Sequence, residues 1–210
     1  MARTKEQNKR IRDAKRELIL TEALNQFSQK GYAATRIQDI AETAVISQGL
    51  LYYYYPSKEA IYVDLVNDAL ERINETARYV RDMSRPYGEK IMYALKILFK
   101  TIETSYRFRQ TCRMIAQATY QADISAEAQA ALNKKRDICY RIMAEIFKKG
   151  QEENSIVEGD PMELSILFWT SVNGLAIYYA TRDIAANLPD YRLVAPMFLK
   201  NRIELPEDDI

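Results

Sequence analysis

Residues 47–55 read Ser-Gln-Gly-Leu-Leu-Tyr-Tyr-Tyr-Tyr, and their types suit contact with a nucleic acid. Gln48 carries an amide that can pair in two places with the edge of an adenine, and the Ser47 hydroxyl can meet a phosphate. Gly49 has no side chain and lets another backbone approach closely. Tyr52, Tyr53, Tyr54 and Tyr55 fall about 100° apart around a helix, so they cannot all be core, and at least two hydroxyls face water or a polyanion. Residues 1–16 hold seven Lys/Arg against two acids, a surplus of five, whereas residues 61–210 hold twenty basic and twenty-two acidic residues. A basic start of this kind is either a solvated helix end or an arm that meets phosphates, and charge alone leaves both open.

Other chemistry is poorly supplied. The chain has no His, which removes imidazole metal ligands, Ser-His-Asp triads and Cys-His dyads. Cys112 and Cys139 have 26 residues between them and form no CxxC pair, so neither a zinc site nor a disulfide scaffold is expected, and a reducing cytoplasm fits. There is no Gly-rich phosphate loop and no clear pair of carboxylates, so no catalytic residue, metal or cofactor is expected. The first seven residues are too polar for a signal peptide, and the apolar window Leu164 to Ala180 is broken by Ser165, Ser171 and Asn173, so no membrane segment is expected.

The elements that must position these groups all read as helices, about nine in an all-α chain of 210 residues. The first covers 11–29 and stops at Lys30-Gly31. Thr35 to Gln38 has the form of a capping box, with Thr35 as cap, opening a short second helix on which Ile37, Ile40, Ala41 and Ala44 share a face. Ser47 caps a short third helix to Tyr54, and Ser57 a fourth reaching Met83. A fifth is expected over 89–107, a sixth over 110–121, a seventh over 126–152 behind Ser125, an eighth from Pro161 to about Thr181, and a shorter ninth over 190–201. Two short helices joined by Ala44-Val45-Ile46 have the spacing of a helix-turn-helix, although a compact three-helix core would look the same by length.

Ala23-Leu24-Asn25-Gln26-Phe27, Gly31-Tyr32, Thr35, Ile40-Ala41, the run from Ser47 to Tyr55, and Pro56-Ser57-Lys58-Glu59 together resemble the DNA-binding domain of the TetR/AcrR family of transcriptional regulators. The likeness covers about 45 residues, Ile19 to Val63. It implies a helix-turn-helix domain over 1–56 and a ligand-binding and dimerisation domain over 57–210. It places Thr35 and Arg36 beside the DNA backbone, Gln48, Gly49 and Tyr53 towards base edges, and Ser47, Tyr52, Tyr54 and Lys58 on phosphates, with Leu51 and Tyr55 in the core. Three positions depart from the family pattern. Val45 stands where Gly is usual, so the turn is expected to avoid a positive φ. Arg36 replaces a Ser or Thr, and Tyr55 replaces a Phe, so its hydroxyl needs a partner.

In the second half, aromatic and Met residues recur at helical spacing, and most such residues are core. The family layout implies a cavity among helices four to eight, with Phe99, Glu103, Met114, Met143, Trp169 and Asn173 as its candidate lining. Arg107, Arg109 and Arg113 either meet an anionic head group there or are simply solvated. Helices seven and eight resemble the family's dimer surface, with Ser165, Ser171, Gly174 and Tyr178 as candidate interface positions. The expectation is a cytoplasmic homodimeric repressor on double-stranded operator DNA, released by a small, largely apolar or aromatic effector. The alternatives are a helical protein-binding module and a DNA-binding activator without a ligand.

Overall fold

Helix ends in this chain are set by short-range hydrogen bonds, which a computed structural model describes for residues 5–118, 124–182, 188–203 and 205. Arg3, Tyr120 and the acidic residues Glu204 and Glu207 to Asp209 lie outside those residues. The chain is all-α: α1 (Lys5–Lys30), α2 (Ile37–Thr43), α3 (Gln48–Tyr54), α4 (Lys58–Asp82), α5 (Tyr87–Thr104), α6 (Tyr106–Ala118), α7 (Ala126–Glu152) and α8 (Pro161–Arg182). Ser47, Ser57 and Ser125 cap α3, α4 and α7 through their hydroxyls, and Asp160 accepts from Met162 N and Glu163 N at the head of α8.

Four expectations are corrected. The basic start is already helical from Lys5. The cap of α2 is Arg36, whose N–H donates to Asp39 Oδ2 at 3.3 Å, while Gln38 turns instead to Glu42 Oε1 at 2.9 Å. The break between α5 and α6 comes at Ser105, whose hydroxyl accepts from Phe108 N at 3.2 Å and so starts α6 early. The expected ninth helix is two 3₁₀ turns, Tyr191–Leu193 and Ala195–Met197. Pro196 brings no N–H to an α-helical ladder there, and the chain instead bridges Leu199 to Ile156, with Val157 N donating to Phe198 O at 3.0 Å.

The turn after α2 has a strain that the sequence reading did not anticipate. Ile46 N donates to Ala41 O and Val45 N to Glu42 O, a Schellman stop that requires a left-handed residue between them. That residue is Val45, at φ +52°, not avoiding the positive region as expected. The same stop ends α7, but there the left-handed residue is Asn154, which tolerates it.

Two apolar clusters hold the helices. One joins α1, α2 and α3 to the first half of α4 through Ile19, Phe27, Ile40, Leu51, Ile61 and Leu65, and it also takes Met114, Ile124 and Leu132. The other joins the second half of α4 to α5, α7 and α8 and to the 3₁₀ turns, through Val80, Leu95, Ile146, Phe168 and Phe198 among others. Gly150 allows the close approach at its base, since a Cβ there would lie 2.2 Å from Ile156 Cδ1 and 2.7 Å from Ile156 Cγ1, inside a fully buried residue.

Two substitutions test these constraints. Val45→Gly relieves the left-handed Val and loses no burial, because Val45 is 88% exposed. It should raise unfolding stability by about 0.5–1 kcal/mol in a urea titration, the strain removed less the added freedom of the unfolded chain. Gly150→Ala should lower stability by about 1–3 kcal/mol by forcing Ile156 out of place.

Candidate nucleic-acid interface and effector cavity

The seven residues of α3 divide sharply between core and solvent. Leu51 is fully buried and Tyr55, just past the helix, is nearly so, whereas Ser47, Gln48, Gly49, Tyr52 and Tyr53 are exposed and Tyr54 is half-buried. Tyr53 and Tyr54 pack edge to face with ring centroids 5.5 Å apart, which limits their freedom without covering Tyr53. No atom would meet a Cβ on Gly49 within 4 Å, so the backbone is open to an incoming surface there.

This face is held by one carboxylate. Asp64 on α4 accepts from the Tyr55 hydroxyl at 2.5 Å and from Arg16 of α1 at 2.6 and 2.7 Å. Burial, then the hydrogen bond to the neighbouring carboxylate, raises the Tyr55 hydroxyl well above the ordinary tyrosine range, so it stays a donor. The Tyr that replaces a Phe therefore ties the end of α3 to both α1 and α4.

Two residues expected at DNA are placed differently. Thr35 is buried, and its hydroxyl donates to Gly31 O at 2.8 Å, closing the turn between α1 and α2 instead of facing outward. The Lys58 ammonium donates to Tyr32 O at 2.7 Å and Thr35 O at 3.0 Å and lies 4.3 Å from the Tyr32 ring centroid. It staples the α1–α2 loop to α4, because an ammonium makes charge-assisted bonds to several loop carbonyls at once. Arg36 remains exposed beside α2.

A cavity of about 470 Å³ lies among α4, α5, α6, α7 and α8. Its α4 wall is Leu70 together with Leu65, Asp68, Ala69, Arg72, Ile73, Thr76, Ala77 and Val80, the last eight a three- and four-residue stripe that helical spacing could have revealed and the sequence reading missed. Met143, Trp169 and Asn173 line it as expected. The other three candidates do not. Phe99 packs against Tyr191 with centroids 6.4 Å apart, Glu103 is exposed beside Lys100 at 3.2 Å, and Met114 is buried in the α1–α4 cluster. Each lies on the face of its helix turned away from the cavity.

The wall is mostly apolar, with few polar groups. Tyr140 and Trp169 pack with centroids 6.1 Å apart, and the Trp169 indole N–H, though Trp169 is 5% exposed, has no acceptor among the described residues. Burial pushes the Cys112 and Cys139 thiols up to about 12, which keeps these two lining groups protonated and unreactive. Arg107 reaches Glu17 of α1 at 3.1 Å and Asp68 at 3.7 Å. Arg109 instead donates to the carbonyls of Ile102 and Glu103 at the end of α5, and Arg113 to Ala180 O, so neither is simply solvated.

On α8 an outward stripe is not covered by another element among the described residues. Gly174 has open space above it, Ser171 donates to Leu167 O, and Tyr178 is 44% exposed with Arg182 donating to its hydroxyl. Met162, Ile166 and Leu167 are exposed along the same helix and were missed. Ser165 is the exception among the interface candidates: it is fully buried and donates to Tyr140 O at 2.8 Å, a contact between α7 and α8 of one chain. Among the described residues no helix is long and apolar enough to cross a membrane.

Residues 19–65 match the family model described as bacterial regulatory proteins, tetR family. RutR, an HTH-type transcriptional regulator of Escherichia coli strain K12, is 29% identical over 170 residues, covering 78% of this chain and 74% of its own length. KstR, an HTH-type transcriptional repressor of Rhodococcus jostii strain RHA1, is 24% identical, covering 92% of this chain and 86% of its own. The structure of AibR in complex with isovaleryl coenzyme A and operator DNA shares the fold, with a TM-score of 0.69 at 16% identity, covering 87% of this chain and 94% of that one. The relatives are transcriptional regulators and not enzymes, and over residues 19–65 this chain is similar to the tetR family of bacterial regulatory proteins.

Proposed function

We propose that the protein is a repressor that binds a palindromic operator as a homodimer and is released by a small, largely apolar effector. The observation that carries this reading is the open face of α3. Gln48, Gly49 and Tyr53 stand exposed together while Leu51 and Tyr55 anchor the other side to the core. In this reading Gln48 and Tyr53 read base edges across Gly49, and Ser47, Tyr52, Tyr54 and Arg36 meet the backbone. Residues 1–56 act as the reading head and 57–210 as the effector and dimer unit, with α4 common to both. Pairing through α7 and the stripe Ile166, Leu167, Ser171, Gly174 and Tyr178 would give the two-fold axis that a palindrome mirrors. Such a protein works in the cytoplasm, where its DNA is.

Effector control follows from how the cavity meets the head. The cavity wall on α4 continues, within one helix, into the residues that seat α1 and α3. A ligand that changes the packing of α4 shifts the balance between two spacings of the paired heads, with a coupling of about 1–3 kcal/mol. That KstR is named a repressor and that AibR was solved with an acyl coenzyme A and operator DNA support this mode for relatives of the same fold.

Three variants test the reading. With an operator selected from random duplexes, Gln48→Ala should weaken cognate binding by about 1–3 kcal/mol in anisotropy titrations and relax sequence preference. Equal losses on cognate and random DNA would remove Gln48 as a base reader. Lys58→Met should lower unfolding stability by about 1.5–3 kcal/mol, because it removes charge-assisted bonds to carbonyls. A reduced salt slope with unchanged stability would instead return Lys58 to a phosphate. Gly174→Arg should sediment as a monomer and lose operator affinity, and a dimeric mutant would place the interface elsewhere.

A further inference from the structure

Four charged side chains line the cavity: Asp68, Arg72, Arg107 and Arg136, three cations to one anion. Asp68 is already shared, with Arg72 Nε at 3.1 Å and Arg107 at 3.7 Å. Arg136, on α7, is half-buried and has no carboxylate partner among the described residues. A half-buried guanidinium in a largely apolar wall, with no carboxylate partner among the described residues, is a donor that a bound anion can pair with. The buried indole N–H of Trp169, without an acceptor, is a second donor in the same wall.

The polar and apolar groups are also separated along the cavity. α4 and α7 run side by side in the same direction, since Ser125 Oγ donates to Glu59 Oε1 at 2.6 Å where both begin and Lys135 meets Glu71 at 3.0 Å further along. Asp68, Arg72, Arg107 and Arg136 therefore gather at the end nearer the reading head. Ala77, Val80, Met143 and Phe168 line the other end, with Trp169 and Tyr140 between. From Asp68 to Val80 the α4 wall extends about 18 Å at the helical rise.

We propose that the cavity binds an organic anion: an extended apolar body bearing one carboxylate, its head on Arg136 and Arg107 and its tail towards Phe168. This rests on the reading of the cavity as an effector site and names the ligand class. It also supplies a route to α1. Among the described residues Arg107 is the cavity cation bonded to α1, through Glu17, and a carboxylate beside it competes with Glu17 for the same guanidinium.

The chain has one Trp, so the emission of Trp169 reports on this cavity without another indole. The probes are decanoate, 1-decanol and decyltrimethylammonium, titrated into the whole protein without DNA. Decanoate should give a saturable change in emission at a Kd about tenfold or more below that of decanol, a difference of about 1.4 kcal/mol. The cationic amphiphile should bind worst. Arg136→Gln should abolish the preference for the acid and Arg136→Lys should keep part of it, both with helical content and unfolding midpoint unchanged. Glu17→Gln, by freeing Arg107, should tighten decanoate. Equal binding of acid and alcohol, no saturable response to the acid, or an Arg136→Gln protein with the wild-type preference overturns the proposal. If decanoate binds through Arg136 but leaves operator affinity unchanged, the anion site stands and the effector reading falls.

Discussion

Everything in this molecule depends on α4 being one unbroken helix with a place in both apolar clusters. Ile61, Tyr62, Leu65 and Val66 belong to the packing of α1, α2 and α3, and Ala77 and Val80 to that of α5, α7 and α8. A rigid helix shared by two cores cannot change its position against one without disturbing the other, because interiors packed this densely have few intermediate arrangements. The control of DNA binding proposed above needs such an element, and the cavity opens onto its middle.

The reading head is fixed to that helix by polar contacts as much as by burial. Asp64 holds Tyr55 and Arg16, and Lys58 gathers the carbonyls of Tyr32 and Thr35. These contacts lie behind the exposed residues of α3 and orient them. The left-handed Val45 in the adjoining turn shows that the geometry between α2 and α3 is imposed on the chain even where the residue resists it. A turn that sets the angle of a reading helix is a place where such strain persists, provided the helices on either side determine it.

The charges of the cavity connect the same parts. Arg107 stands at once in the cavity wall and in an ion pair with α1. That pair is too exposed to contribute much to stability, with Arg107 and Glu17 side chains 37% and 51% exposed. Its weakness suits a contact that the proposed ligand would have to displace.

Local chemistry made much of the architecture legible. Ser47, Ser57, Ser125 and Asp160 mark helix starts by hydrogen bonds formed within three residues, and Gly31 marks a stop, so sequence alone placed α3, α4, α7 and the start of α8. The run of four tyrosines on a helix had to leave some exposed, as Tyr52 and Tyr53 are. What sequence could not decide was direction across helices. Ser165 looked like a small interface residue and instead bonds α7, Met114 looked like pocket lining and belongs to the other core, and Thr35 and Lys58 face inward to carbonyls whose positions depend on how the α1–α2 loop folds back on α4. Arg136 carried no local signal, since a lone arginine on an amphipathic helix is ordinarily solvated. Only the packing of α4, α7 and α8 around one space left it half-buried and, among the described residues, without a carboxylate partner. Periodicity fixes which residues share a face, but which neighbour that face meets is settled by contacts between residues far apart in the chain.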